Sequence, residues 1–243
     1  MLMNNQPNKL CFGWNALTHR LISVKVVKKF NSLVPPEMGI NIRALKKSCI
    51  APDRSPDVKV SAVKGHFADI TNLRSDDAYS LFKKHSDEAI KAHEKAQYGK
   101  RDGLIGYALH FLQDMLNPHH VHFKKLPMSH PEVRAHCKFE EVAQDIERKV
   151  ILHAAGPVKP MEMFFWDKIL PDAMKKAKNQ SLETKNIRND FEQISKMAEE
   201  SLLNTLDSTD AYMMYLARKF NKAGKANETG LYRKSERELD LVV

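Results

Sequence analysis

Along "LTHRLISVKVVKKFNSL", Leu17 to Leu33, the apolar residues Ile22, Val26 and Phe30 recur four apart with Val27 and Leu33 beside them. The pattern predicts an amphipathic helix that carries His19 near its start. "VPPEMG" ends it, because proline cannot continue a helix. "SCIAPDRSPDVK" reads as a Pro- and Asp-rich loop, in which Pro52 and Pro56 argue against a continuous helix through Asp53 and Asp57. A helix follows over "SDDAYSLFKKHSDEAIKAHEKAQ", capped by Ser75, with Ala78, Leu81, Phe82, Ala89 and Ile90 on one face. After a break at "YGKRDG", "LIGYALHFLQDML" is apolar on most sides, the pattern of a central buried helix. "PEVRAHCKFEEVAQDIERKVILHAA" begins at Pro131, a residue suited to a first helical turn, and keeps the helical period for several turns. Three more helical stretches lie around 159–177, 184–206 and 208–222. No alternating β-branched run bounded by hairpin turns occurs, so the predicted class is all-α, a single multi-helix bundle.

Composition narrows the picture. The 243 residues are 42% hydrophobic and free of low-complexity tracts, which suits one domain over 14–222 between an N-terminal extension, 1–13, and a polar C-terminal tail, 223–243. The net charge of +9 favours an anionic partner, whether phospholipid headgroups, nucleic acid or a phosphorylated small molecule, without choosing among them. Cys11, Cys49 and Cys137 are odd in number and lack CxxC spacing, so neither a disulfide framework nor a cysteine zinc ribbon is expected. The opening residues lack the basic start and apolar run of a signal peptide, and no stretch is apolar enough to span a bilayer. The expectation is a soluble monomer, cytoplasmic or exported without a signal peptide.

Candidate chemistry concentrates in "ALHFLQDMLNPHHVHF", residues 108–123. His110 and Asp114 are four apart on a helix, so imidazole and carboxylate project from one face a turn apart, an arrangement zinc accepts. "HCKFE" repeats the device with His136 and Glu140. His120 lies ten residues after His110, roughly 15 Å along an unbroken helix at about 1.5 Å per residue, so the two are expected to serve different ions.

"THRLI", "APD", "GHF", "HFLQDMLNPHH" and "HCKFE", in that order, resemble the zinc-dependent phospholipase C family, which includes the bacterial phosphatidylcholine-preferring enzymes and the catalytic domain of glycosylphosphatidylinositol phospholipase D. The resemblance implies two to three zinc ions at the mouth of a helical bundle. Asp53, His66, His110 and Asp114 would hold one; His120, His136 and Glu140 a second; His19 with bridging Asp114 a third. The family's secreted members also bind the third ion through an N-terminal tryptophan. The matching residue is Trp14, which thirteen residues precede here, so its nitrogen is an amide and the third ion is expected to bind weakly.

The implied activity is hydrolysis of phospholipid to diacylglycerol and a phosphorylated headgroup at a peripheral membrane contact, with Asp53 as general base and Asp57 as the alternative in a loop of variable length. The Trp-x-x-x-x-His spacing is shared with zinc-dependent single-strand nucleases, which makes nucleic acid the second candidate substrate. A non-catalytic, zinc-stabilised binding protein is the third reading. His119 and His122 flank His120 outside the family register. His85, His93, His130 and His153 read as surface or packing residues, Cys137 as core, and "MFFWDK" at 163–168 as an apolar face buried in the bundle.

Overall fold

The computed structural model describes residues 14, 16–54, 65–69, 72–74, 76–121, 130–154, 165–184 and 190–227, and every regular element among them is helical. Of the positions singled out in the sequence, residues 1–13 with Cys11, Pro56, Asp57, Ser75, His122, Met163, Phe164 and residues 228–243 lie outside that set.

Helix α1, Ala16–Leu33, turns Thr18, His19, Ile22, Ser23, Val26, Val27 and Phe30 inward and stops before the prolines, followed by a 3-10 turn at Pro36–Met38. The hydrophobic pattern gives no sign of α2, Ile42–Ser48. Its start is local chemistry: the Asn41 side chain accepts from the main-chain nitrogens of Arg43 and Ala44 at 2.9 and 3.1 Å. Asp53 sits on a single helical turn, α3, Ala51–Arg54, rather than in a loop. Pro52 fits there because the first turn of a helix needs no donor from it.

Helix α4 spans Ala78–Glu94 and α5 spans Tyr98–Met115; they pack along one another as a hairpin. Two boundaries differ from those the sequence suggests. Asp77, and not Ser75, caps α4, accepting from Ser80 and Arg74 main-chain nitrogens at 2.8 Å each. The break falls before Tyr98, where Ala96 takes a left-handed φ of 53°, so "YGKRDG" belongs to α5. Arg101 holds that end of the bundle: fully buried, it pairs with Asp102, donates to the carbonyls of Glu37 and Gly39, and donates to His93 Nδ1 at 3.1 Å.

Gly106, in the middle of α5, is where α2 comes closest. A Cβ there would lie 1.9 Å from Ser48 Oγ and 3.0 Å from the Cys49 nitrogen, so only glycine admits the approach.

A 3-10 turn at Pro118–His120 leads toward α6, Pro131–His153, which His130 caps through Nδ1. A π-helical turn at Phe165–Ile169 runs into α7, Leu170–Thr184. The last element, α8, Phe191–Asn227, is one helix where two were expected, and it continues past residue 222 into the stretch assigned to the tail. The polar "TLDSTD" reads as an interruption, yet Thr205 and Thr209 return their hydroxyls to the Ser201 and Thr205 carbonyls at 2.8 and 2.7 Å, so the helix passes through. Helix α8 packs on α1, α4, α6 and α7 and completes the core. Phe165 is buried between Phe82 and Tyr212, with Trp166 against Phe82 and Tyr215, so these aromatics are interior packing.

One cysteine departs from expectation. Cys137 is disulfide-bonded and only half-buried, neither thiol nor core residue, whereas Cys49 is a free, buried thiol whose pKa burial pushes up to about 11. No helix among the described residues is long and apolar enough to cross a membrane.

Candidate metal centre

Six separate segments converge on one end of the bundle. Helix α1 brings His19, α3 brings Asp53, the segment 65–69 brings His66, α5 brings His110 and Asp114, the Pro118–His120 turn brings His120, and α6 brings His136 and Glu140. All but Asp53 are buried. They fall into three groups whose donor atoms lie within 4.8 Å of one another: His19, His110 and Asp114; Asp53, His66 and His110; His120, His136 and Glu140.

Donor spacing is the first test of whether these residues fit an ion. Ligands around tetrahedral zinc at about 2.0–2.1 Å are themselves roughly 3.3 Å apart. Asp114 Oδ1 is 3.3 Å from His19 Nε2, and Asp114 Oδ2 is 3.1 Å from His110 Nε2. Asp53 Oδ1 lies 3.6 Å from His110 Nε2 and 3.9 Å from His66 Nε2. His66 Nδ1 touches Asp114 and is 3.2 Å from His110 Nε2, and His136 Nε2 is 2.6 Å from Glu140 Oε1.

Ring orientation is the second test. His110 Nδ1 meets the Cys49 carbonyl at 3.0 Å, His120 Nδ1 the His66 carbonyl at 2.7 Å, and His19 Nδ1 the Gln113 Oε1 at 2.8 Å. A carbonyl only accepts, so each Nδ1 carries a proton and each Nε2 faces the centre, where the neutral ring offers it a lone pair. His19 Nε2, His120 Nε2 and Asp114 Oδ1 are buried with no hydrogen-bond partner among the described residues. Unpartnered buried polar atoms are costly, and a cation among them removes the cost.

Charge is the third test. Burial disfavours the Asp114 carboxylate, but His110, His66 and His19 outweigh it and hold its pKa well below the ordinary value. Burial likewise disfavours protonated His19, yet Asp114 prevails and raises it to about 9, and His66 is raised in the same way. Burial lowers His110, against Asp114, and lowers His120 to about 3. Burial raises Glu140, with His136 opposing. The carboxylates therefore demand positive charge at this place, as an ion or as protons. By donor chemistry the residues fit zinc: imidazole and carboxylate, with no thiolate in any group.

Trp14 is buried against Phe139, and its indole N–H donates to the Gln113 carbonyl at 3.1 Å. Gln113 is the residue that sequence reasoning passes over. Its amide nitrogen donates to Ser23 Oγ at 3.0 Å while its oxygen receives His19, so it sets that ring's direction. A signal does exist: a glutamine adjacent to Asp114 on an otherwise apolar helix. His119 lies ring to ring on His136, centroids 5.0 Å apart, outside the three groups. His85 stacks on Tyr107 and Phe111, His93 on Phe220, and His153 returns to its own helix.

The fold is shared with two bacterial toxins. An alpha toxin from Clostridium absonum superposes with a TM-score of 0.63 over 94% of this chain and 68% of its own, at 16% identity. The alpha-toxin of an avian strain of Clostridium perfringens superposes with a TM-score of 0.62 over 93% and 68%, also at 16% identity. No protein-family model matches the chain. No curated protein matches it in sequence.

Proposed function

We propose that this protein is a zinc metallophosphodiesterase that hydrolyses phospholipid to diacylglycerol and a phosphorylated headgroup, a phospholipase C acting at the membrane surface as a monomer. The observation that carries the reading is the pair of buried Nε2 atoms, of His19 and His110, turned toward Asp114 by hydrogen bonds on the far side of each ring. The order of the sequence motifs and the fold shared with the alpha toxins support it.

In this reading Asp53, His66, His110 and Asp114 hold one ion, His120, His136 and Glu140 a second, and His19 with Asp114 a third, with Trp14 beside it. Zinc, when bound, supplies an acidified water and neutralises phosphoryl oxygens as charge develops on them. The remaining work belongs to side chains. Asp53, the exposed member, takes the proton of the attacking water as general base. Asp114, His110 and His19 sit in a dry interior where electrostatic interactions are stronger than in water. Gln113 and the Cys49 and His66 carbonyls keep the rings from rotating, which preserves the geometry between turnovers.

Metal content by plasma emission, followed by hydrolysis of phosphatidylcholine, phosphatidylglycerol and single-stranded DNA in parallel, tests the proposal. Zinc with lipid turnover is expected. Cleavage of DNA alone would make the protein a nuclease, and zinc with no turnover would make it a zinc-stabilised binding protein.

A further inference from the structure

A cavity of about 600 Å³ is walled by five cations, Arg20, Arg43, Lys46, Lys47 and Arg54, with Ile50, Ala51 and Tyr107. No carboxylate is among its described lining residues, and none of the five forms a salt bridge with a described residue. Such an arrangement is unfavourable by itself: two like charges about 4 Å apart repel by about 1 kcal/mol even in water. A solvated basic surface spreads its charges and pairs them. Here they face one concavity, and the Nε of Arg20 is buried without a partner among the described residues.

The cavity is lined in part by chain neighbours of the centre's residues, none of them a donor itself. Arg20 follows His19 on α1, Arg54 follows Asp53 on α3, and Ile50 follows Cys49, whose carbonyl receives His110. Tyr107 precedes His110 by one turn of α5. Asp53 and Arg54 are neighbours on one helical turn, so a phosphodiester held at Asp53 has a cation of this cavity one residue away.

We propose that this cavity is an anion subsite that receives a second phosphate carried by the headgroup of the substrate, so that phospholipids with phosphorylated headgroups are preferred over zwitterionic ones. The inference rests on the phosphodiesterase reading above for its location and on the five cations for its chemistry. Arginine forks and lysine ammonium groups are the side chains that bind phosphate best, and a positively lined cleft raises the local concentration of such a ligand. A choline headgroup, itself cationic, gains nothing there.

The test uses the full-length, zinc-loaded protein and the double variant Lys46→Gln/Lys47→Gln, both positions being exposed on α2. Calorimetry with inositol trisphosphate and with phosphocholine reads the subsite without turnover. The wild type should bind inositol trisphosphate at least about tenfold more tightly, and the variant should lose most of that preference with its zinc content and melting temperature intact. On vesicles, the ratio of phosphatidylinositol phosphate hydrolysis to phosphatidylcholine hydrolysis should fall by at least about tenfold in the variant. Preference for inositol trisphosphate without lipid turnover would leave the subsite standing and remove the phospholipase reading. Equal binding of the two soluble probes, or a preference the variant retains, would overturn the subsite. Tighter binding of an oligothymidylate that the same substitution abolishes would overturn it too, assigning the cavity to a nucleic-acid backbone.

Discussion

His110 donates through Nδ1 to the main-chain carbonyl of Cys49 across 3.0 Å, a bond between residues 61 apart in sequence. The direction of a proposed ligand is thus set by how α2 seats against α5, and that seat depends on the missing side chain of Gly106.

Gly106→Ala should therefore destabilise the protein by about 1–3 kcal/mol, the usual cost of overpacking, and weaken zinc binding as the Cys49 carbonyl moves away from His110. Gly99→Ala and Gly103→Ala, in the same helix with no atom within 4 Å of the added methyl group, should each stabilise by about 0.4–1 kcal/mol. Urea melts and zinc titrations of the three variants distinguish a close contact from a general effect of helix propensity. A neutral Gly106→Ala would show that α2 can withdraw from α5 at no cost.

Gln113→Leu keeps the volume but frees His19 Nδ1 and Ser23 Oγ. The Trp14 bond survives, because it goes to the main chain. We expect a loss of one zinc equivalent, or a weakening of that equivalent by about 10–100-fold, the usual effect of removing a group that orients a ligand. Full retention of all ions at dilute metal would mean that His19 needs no such support.

Much of the centre is legible in the chain alone, because His110/Asp114 and His136/Glu140 are spaced by one helical turn and that period is visible in the order of residues. What stays hidden depends on tertiary contact. Gln113 matters through His19, 94 residues away, and Gly106 through Ser48. Glycines 99 and 103 suggest a break that the left-handed Ala96 places earlier, and threonines that suggest a boundary in α8 satisfy their hydroxyls within the helix. The short α2 has too few residues to display a period and is announced only by its Asn41 cap.

Asp53→Asn removes basicity at the exposed edge without disturbing the buried donors. Turnover should fall by at least about 10²-fold with little change in KM, and the melting temperature should hardly move. His110→Ala and Asp114→Ala should instead lose metal, activity and thermal stability together, since binding to the folded state alone stabilises it. An Asp53→Asn protein of unchanged rate would move the role of base to Asp57 or to a metal-bound hydroxide.

His93, at the opposite end of the bundle, should govern part of the acid sensitivity of folding. Burial first, and then the Arg101 charge, lower its pKa, and its Nδ1 must stay unprotonated to accept from Arg101. Its folded pKa is below the unfolded value of 6.5, so the stabilisation is complete above about pH 6.5 and is lost as pH falls through the folded pKa. In His93→Gln the urea midpoint should fall less steeply below about pH 6.5 than in the wild type. Parallel curves for the two proteins would exclude His93.

Helix α8 contributes no residue to the three donor groups, yet it fills the core behind α1 and α6. During synthesis the ribosome has made every donor by Glu140 and has still to make the chain as far as Asn227. At about 5–20 residues per second that interval lasts about 4–17 s. On the zinc reading, capture of an ion by the nascent chain and closure of the bundle are thus separable in time.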